Sequence, residues 1–129
     1  MAKTRRPLTK KEIEKFKKML LERRDEIWEE IRQDLKSRVS EEYHSAINDV
    51  KDEEDVAQLD LQEEVILGVM EARKKELEAI NQALWRIEHN EYGRCLECED
   101  WICLERLNVR PWAVYCLECK QELERLGKI

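Results

Sequence analysis

The sequence is poor in the residues that punctuate a compact globule. It has three Gly and two Pro among 129 residues. It holds no run of about 18 apolar residues, so no membrane-spanning helix is written into it. The first eight residues, Met1 to Leu8, are basic and lack the apolar stretch of a secretion signal. There is no Gly-rich phosphate loop, no nucleophile with a paired base and no pattern of catalytic carboxylates around a pocket. These absences argue against an enzyme. They describe a cytoplasmic chain with no membrane segment, and in that compartment thiols stay reduced, so paired cysteines hold metal more often than they form disulfides.

What remains is charge and helix-forming residues. Charged residues make up 42% and hydrophobic residues another 42%, the balance of long helices and coiled coils. The formal net charge of −6 argues against binding of DNA or RNA phosphate, which needs a basic surface. That charge is sorted along the chain. Residues 1–24 carry ten Lys/Arg and three Asp/Glu, whereas residues 25–64 carry four against fifteen. A basic start and an acidic middle generate separated fields.

Hydrophobic spacing defines two helices. Thr9-Lys10-Lys11-Glu12 fits a capping box, and Ile13, Phe16, Leu20, Ile27, Ile31 and Leu35 then recur on one helical face. Arg23 and Arg24 interrupt that stripe, with stems long enough to cover it. The first helix is expected over about 9–38. Residues 37–55 are polar and acidic, with a frayed helix end or a short helical turn as the expectation. A second helix is expected from about Asp55 to His89, carrying Leu59, Val65, Ile66, Val69, Met70, Leu77, Ile80, Leu84 and Ile87 as core. Neither stripe is buried alone, so the two helices pair antiparallel, with residue 10 beside residue 88. The expected fold is mostly α: a long antiparallel two-helix coiled-coil hairpin, a small four-cysteine module and a short C-terminal helix from Lys120 to Leu126, stopped by Gly127. The expected organisation is a basic arm over 1–8, the hairpin over 9–89 with an acidic tip near 38–57, and the cysteine module with the C-terminal helix over 90–129. By the helical rise the tip stands about 45–50 Å from the module.

Four of the five cysteines form Cys95-x2-Cys98-x17-Cys116-x2-Cys119. Two tight knuckles of this kind aim four thiolates at one point, the geometry of a structural zinc site. Two disulfides, or a thioredoxin-like redox pair, would use the same residues; the redox motif belongs near a βαβ pattern, which is missing here. Cys103 reads as a buried apolar thiol. Trp101 and Trp112 are expected to pack the module's core, His44 to be solvated near the tip, and His89 to stand outside the metal site.

Asp52-Glu53-Glu54-Asp55-Val56-Ala57 reads D-x-x-D-x-A. Together with the cysteine spacing, Tyr92-Gly93-x-Cys95, Arg106, Arg110-Pro111 and Cys119-Lys120, it resembles the DksA/TraR family of bacterial transcription factors in unbroken register. The resemblance implies one structural zinc and a partner, RNA polymerase, rather than DNA. It implies a hairpin that enters the polymerase secondary channel as a monomer and changes promoter-complex stability through the tip residues Asp52, Asp55 and Ala57. It further implies that Arg110 and Lys120 contact guanosine tetraphosphate (ppGpp) at the polymerase rim, a role in the stringent response. The chain departs from the family at several places, among them a shorter N-terminus and Cys103 where a small residue is usual. Ala79 stands at a third basic position of the nucleotide site, with Lys75 one turn earlier. The segment before Asp52 is longer. Glu99 follows the first knuckle where Gly is usual. The alternative reading is a zinc-stapled coiled-coil adaptor for another protein.

Overall fold

Helix α1, Lys10–Arg38, begins at a closed capping box. The Thr9 N–H donates to Glu12 Oε1 at 2.9 Å, and the Glu12 N–H donates to Thr9 Oγ1 at 3.2 Å. Arg6 adds two bonds to the Glu12 carboxylate. That charged partner, with the Thr9 N–H, holds the Glu12 carboxyl down at about 2. The computed structural model describes residues 4–129; Met1 to Lys3 of the expected basic arm lie outside them. Phe16, Leu20, Ile27, Ile31 and Leu35 are fully buried along α1, and Trp28 nearly so. Lys36 and Arg38 sit in its last turn, where cations suit the helix C-terminus.

The chain divides into two compact units, one from the N-terminus to Leu21 with Ala79–Ile129, the other Glu22–Glu78. Both long helices run through the division. In the second unit, α1 pairs with helix α4, Glu63–Glu88. Arg23 bonds Glu76, with Nε–Oε1 at 2.6 Å, and Arg73 meets Glu30 at 3.4 Å and Asp34 at 2.5 Å. A Cβ on Gly68 would stand 3.7 Å from the Arg38 guanidinium. As numbers rise on α1 they fall on α4, so the pair is antiparallel. The pairing of 23 with 76 is within a residue of the register that sets 10 beside 88. Arg23 does more than cover the stripe: it bridges the two helices.

The connection is more ordered than its composition suggested. After a 3-10 turn at Glu41–Tyr43 come α2, His44–Asn48, and α3, Glu53–Ala57. Ile47, Val50 and Val56 are buried, so the segment has its own apolar contacts. The Arg32 guanidinium donates to the Val50 carbonyl, and a His44 ring nitrogen lies 3.0 Å from the Lys36 carbonyl. His44 is therefore half-buried against α1, not solvated.

Helix α4 starts eight residues later than Asp55. Residues 58–62 interrupt the helix without Gly or Pro. The stop is made by backbone bonds: the Gln58 N–H to Glu54 and Asp55 carbonyls, and the Leu59 N–H to Val56. The Gln62 carbonyl then accepts from Val65 and Ile66. The buried row of α4 also differs from the expected one. Val69, Leu77, Ile80, Ala83 and Arg86 are buried, whereas Val65, Ile66, Met70, Leu84 and Ile87 stay partly open. The row advances by threes from residue 77, so a basic side chain falls on the buried face.

Asn90 closes α4 in the left-handed region, with φ of 59°. The Glu91 N–H reaches back to the Arg86 carbonyl at 2.9 Å, the Schellman pattern. Helix α5, Leu104–Val109, was not foreseen; α6, Leu117–Arg125, begins three residues earlier than expected. Gly127 ends α6 with φ of 72°, and the Lys128 N–H donates to the Leu123 carbonyl.

Ile31 is fully buried on α1. Truncation to Ala removes its packing and leaves a cavity, a loss of about 2–5 kcal/mol for such sites. The Ile31→Ala variant should unfold at a clearly lower urea midpoint with unchanged slope; a loss under about 1 kcal/mol would contradict a close-packed interior here.

Candidate metal centre and acidic turn

The first knuckle is built by backbone pairing. Arg94 and Trp101 form an antiparallel bridge, and the Arg94 guanidinium lies 4.9 Å over the Trp101 ring. Inside it the Cys95 N–H donates to Asp100 and the Glu99 N–H to Cys95. The Ile102 N–H donates to Gly93, and the Leu96 N–H ties the knuckle to Val114. Gly93 has φ of +94°, and a Cβ there would meet Leu8 at 3.1 Å. The positive φ favours glycine, and a side chain there would also require Leu8 to shift. The second knuckle runs into α6, which places Cys119 in the first helical turn.

All four sulfur atoms of Cys95, Cys98, Cys116 and Cys119 lie within 4.8 Å of one another. Cys98 and Cys116 are 3.9 Å apart. Four sulfurs at about 2.3 Å from one zinc are separated by about 3.8 Å, so the residues fit a tetrahedral zinc. The cysteines are free, and Cys103 is buried outside this cluster, at the residue before α5, where its side chain makes no capping bond. At Cys95, burial opposes ionisation, but N–H groups of Cys98, Cys116 and Glu97 aim at the sulfur and bring its pKa down to about 7. At Cys119, sharing a hydrogen bond with Cys116 pushes the thiol the other way, and burial adds to the shift. Crowded sulfurs do not all ionise without a cation between them, which is what zinc supplies when bound.

Two arginines that sequence reasoning missed flank the cluster. Arg86 is buried, donates from one terminal nitrogen to the Glu91 and Arg94 carbonyls, and leaves Nε without a partner. Burial lowers its pKa, and the negative fields of Glu91 and Cys95 oppose that shift. Its phase, three residues past Ala83 on the buried row, was the available signal. Arg5 pairs with Glu118 at 2.7 Å and Asp100 at 3.4 Å, and a hydrogen bond from the Glu118 backbone N–H, followed by the one from Arg5, holds the Glu118 carboxyl at about 2. Thr4 bonds Glu105 through both its N–H and its hydroxyl, and its carbonyl accepts the Leu104 N–H at 2.7 Å. The described part of the arm is thus stitched across the cysteine module. Tyr92 is buried, and its hydroxyl donates to the Pro111 carbonyl at 2.7 Å. The module's interior is Tyr92, Ile102, Leu107 and Ala113; Trp101 and Trp112 stay half-open at its edge. His89 stacks on Trp85 at 3.8 Å and takes no place among the sulfurs.

Arg110 is exposed at the end of α5, beside Arg106, Val109 and Leu117 around one shallow hollow. Lys120 lies on α6, one turn beyond Leu117, with Nζ 3.9 Å from Glu124. Both lie in the unit that contains Ala79.

The acidic turn is a local structure in its own right. Asp52 caps α3 in an extended conformation, and its Oδ1 accepts the Asp55 N–H at 3.0 Å. Asp55 reaches back, its Oδ2 accepting the Lys51 N–H at 2.8 Å. The three-residue spacing of the two aspartates thus lets Asp52 cap α3 while Asp55 reaches back one residue further, to Lys51. Ala57 ends α3 and is exposed.

Glu99 adopts φ of 63°. The left-handed region costs a non-glycine residue about 1–2 kcal/mol, and glycine's greater freedom in the unfolded chain returns part of that. Glu99→Gly should therefore stabilise the module modestly, read as slower zinc release to a chromogenic chelator; faster release would contradict strain at this position. Complete chelation of wild type should unfold residues 90–125 before the Glu22–Glu78 unit, because metal-binding energy is folding energy. Persistence of the module's amide dispersion in excess chelator would contradict a structural metal.

Residues 90–125 match the family model described as the prokaryotic dksA/traR C4-type zinc finger. An uncharacterised protein of Aquifex aeolicus (strain VF5) is 32% identical over 120 residues, covering 92% of this chain and 80% of that one. The RNA polymerase-binding transcription factor DksA of Caulobacter vibrioides is 31% identical over the same length, with the same coverage. Among solved structures, the transcription factor DksA2 of Pseudomonas aeruginosa matches with a TM-score of 0.64 at 30% identity, over 93% of this chain and 88% of that chain. The four clustered sulfurs are a C4 zinc site, and with homology extending over nearly the whole chain the protein belongs to the DksA/TraR family, a family of transcription factors and not of enzymes.

Proposed function

We propose that this protein is a transcription regulator that binds RNA polymerase through the secondary channel and sets its acidic turn near the polymerase active site. The observation that carries the reading is the pair of backbone bonds that Asp52 and Asp55 accept at the start of α3, from Asp55 and Lys51. It fixes two carboxylates at one turn while leaving Asp52 exposed to solvent. The surroundings strengthen that field: residues 22–78 carry nineteen Asp/Glu against nine Lys/Arg. Such a field acts on a partner's cations without any bond being made or broken. A relative's name supports this partner: the Caulobacter protein is called RNA polymerase-binding. The change in promoter-complex stability is assigned to Asp52, Asp55 and Ala57.

At the other unit, the cysteine module serves as the docking base in this reading. Arg110 and Lys120 supply charge-assisted contacts suited to the phosphates of ppGpp. Ala79 supplies none, so the response to that nucleotide is set to be weaker than a three-cation site would give. The protein acts in the cytoplasm as a single copy in the complex.

The decisive variant is Asp55→Asn. An amide oxygen still accepts the Lys51 N–H, so the turn keeps its cap and loses only charge. Core polymerase should retain Asp55→Asn at near wild-type affinity, while the variant's effect on the lifetime of competitor-challenged promoter complexes falls by roughly tenfold or more. An undiminished effect would remove the acidic turn from the mechanism. Failure of wild type to bind core polymerase would remove the partner.

A further inference from the structure

Helix α4 is more apolar than its packing requires. Val65-Ile66-Leu67-Gly68-Val69-Met70 is an unbroken apolar run in a strongly charged chain. The interior takes Val69, which is 1% exposed, while Leu67 is 53% exposed and Ile66 and Met70 stay partly open. At about 100° per residue, Ile66, Leu67 and Met70 form a second stripe roughly a quarter turn from the buried row of Val69, Leu77 and Ile80. Residues of α3 and the interruption after it face that stripe. Ala57, Leu59, Leu61, Ile66, Leu67 and Met70 line one open groove, all within the Glu22–Glu78 unit. An uncovered apolar surface of this kind in a soluble protein marks an interaction site.

The rim says what fits. Glu53, Glu63 and Glu71 border the groove together with Lys74. The three carboxylates make no ion pair among the described residues, whereas Lys74 is within 3.9 Å of Glu78. The groove therefore offers an apolar floor and unneutralised negative edges. Its complement is a segment presenting apolar side chains between Lys or Arg residues. The chain's own basic stretch does not meet that description, because its large apolar side chains Phe16 and Leu20 are fully buried.

The geometry points to this groove as a docking site for a basic, apolar segment of RNA polymerase, a contact separate from the aspartate pair. It rests on the polymerase reading above and deepens it. Asp52 and Asp55 act by charge, and the groove supplies the grip that holds the turn in place.

The test is competition between fluorescently labelled wild type and unlabelled variants for core RNA polymerase. Leu67→Glu places a charge at a half-exposed position, so circular dichroism should stay at the wild-type level. Its apparent affinity should drop by roughly tenfold, about 1.4 kcal/mol. Glu63→Lys combined with Glu71→Lys should weaken binding similarly and flatten its salt dependence. A photo-crosslinker at position 67 should capture a polymerase peptide carrying Lys or Arg beside apolar residues. If wild type binds and Leu67→Glu binds equally well, the groove assignment is wrong while the polymerase reading stands. If wild type itself does not bind, the polymerase reading fails, and the groove's assigned partner with it. Capture of a second copy of this chain, with a dimer in light scattering that Leu67→Glu abolishes, would also overturn the assignment.

Discussion

Four sulfur atoms gathered within 4.8 Å repel one another once ionised, and only a multivalent cation makes their proximity favourable. That constraint organises the unit around them. Zinc with four thiolates carries a net charge of −2, and the module answers with cations at its edges: Arg5 over Glu118 and Asp100, and Arg86 buried beneath the first knuckle. Arg86 also gives its hydrogen bonds to carbonyls at the end of α4 and just before Cys95. A single guanidinium thus joins the helix terminus to the ligand loop, with no side-chain carboxylate in hydrogen-bond reach. Tyr92 fastens the opposite wall through Pro111.

A side-chain capping arrangement opens both α1 and α3, closed as a box only at α1. At Thr9 and Glu12 it starts a long helix and is reinforced by Arg6. At Asp52 and Asp55 it starts a helix of five residues, and among the described residues no basic side chain pairs with either aspartate. The same backbone requirement is met in both places. The second leaves its negative charge uncompensated, and that difference separates a structural cap from a working surface.

Much of this was legible in the residues. The cysteine spacing, the Thr9–Glu12 box, the α1 stripe and the Gly127 stop are local patterns whose chemistry allows few outcomes. The antiparallel pairing followed from the two stripes. What escaped is tertiary in origin. The interruption at residues 58–62 has no breaker residue and is closed by backbone bonds alone. The buried row of α4 advances by threes past Leu77, so Leu84 and Ile87 give way to Ala83 and Arg86, because the burying neighbour selects the phase. The connection holds Ile47, Val50 and Val56 in contacts that its acidic composition concealed. Helix α5 is six residues long, too short for periodicity to speak. The register of the D-x-x-D-x-A motif was visible, but the bonds its aspartates accept from Asp55 and Lys51 depend on how the backbone turns there.

Gly93 and Leu8 occupy the same small volume from opposite ends of the chain, with a Cβ at 93 falling 3.1 Å from the leucine. They are unequal partners in any drift of this sequence. Position 8 is free to shrink and leaves only a void. Position 93 gains nothing from that space, because its backbone conformation still excludes a side chain. Variation should therefore accumulate at residue 8 while residue 93 stays fixed, and a lineage that changes both will have rebuilt the loop into the first knuckle.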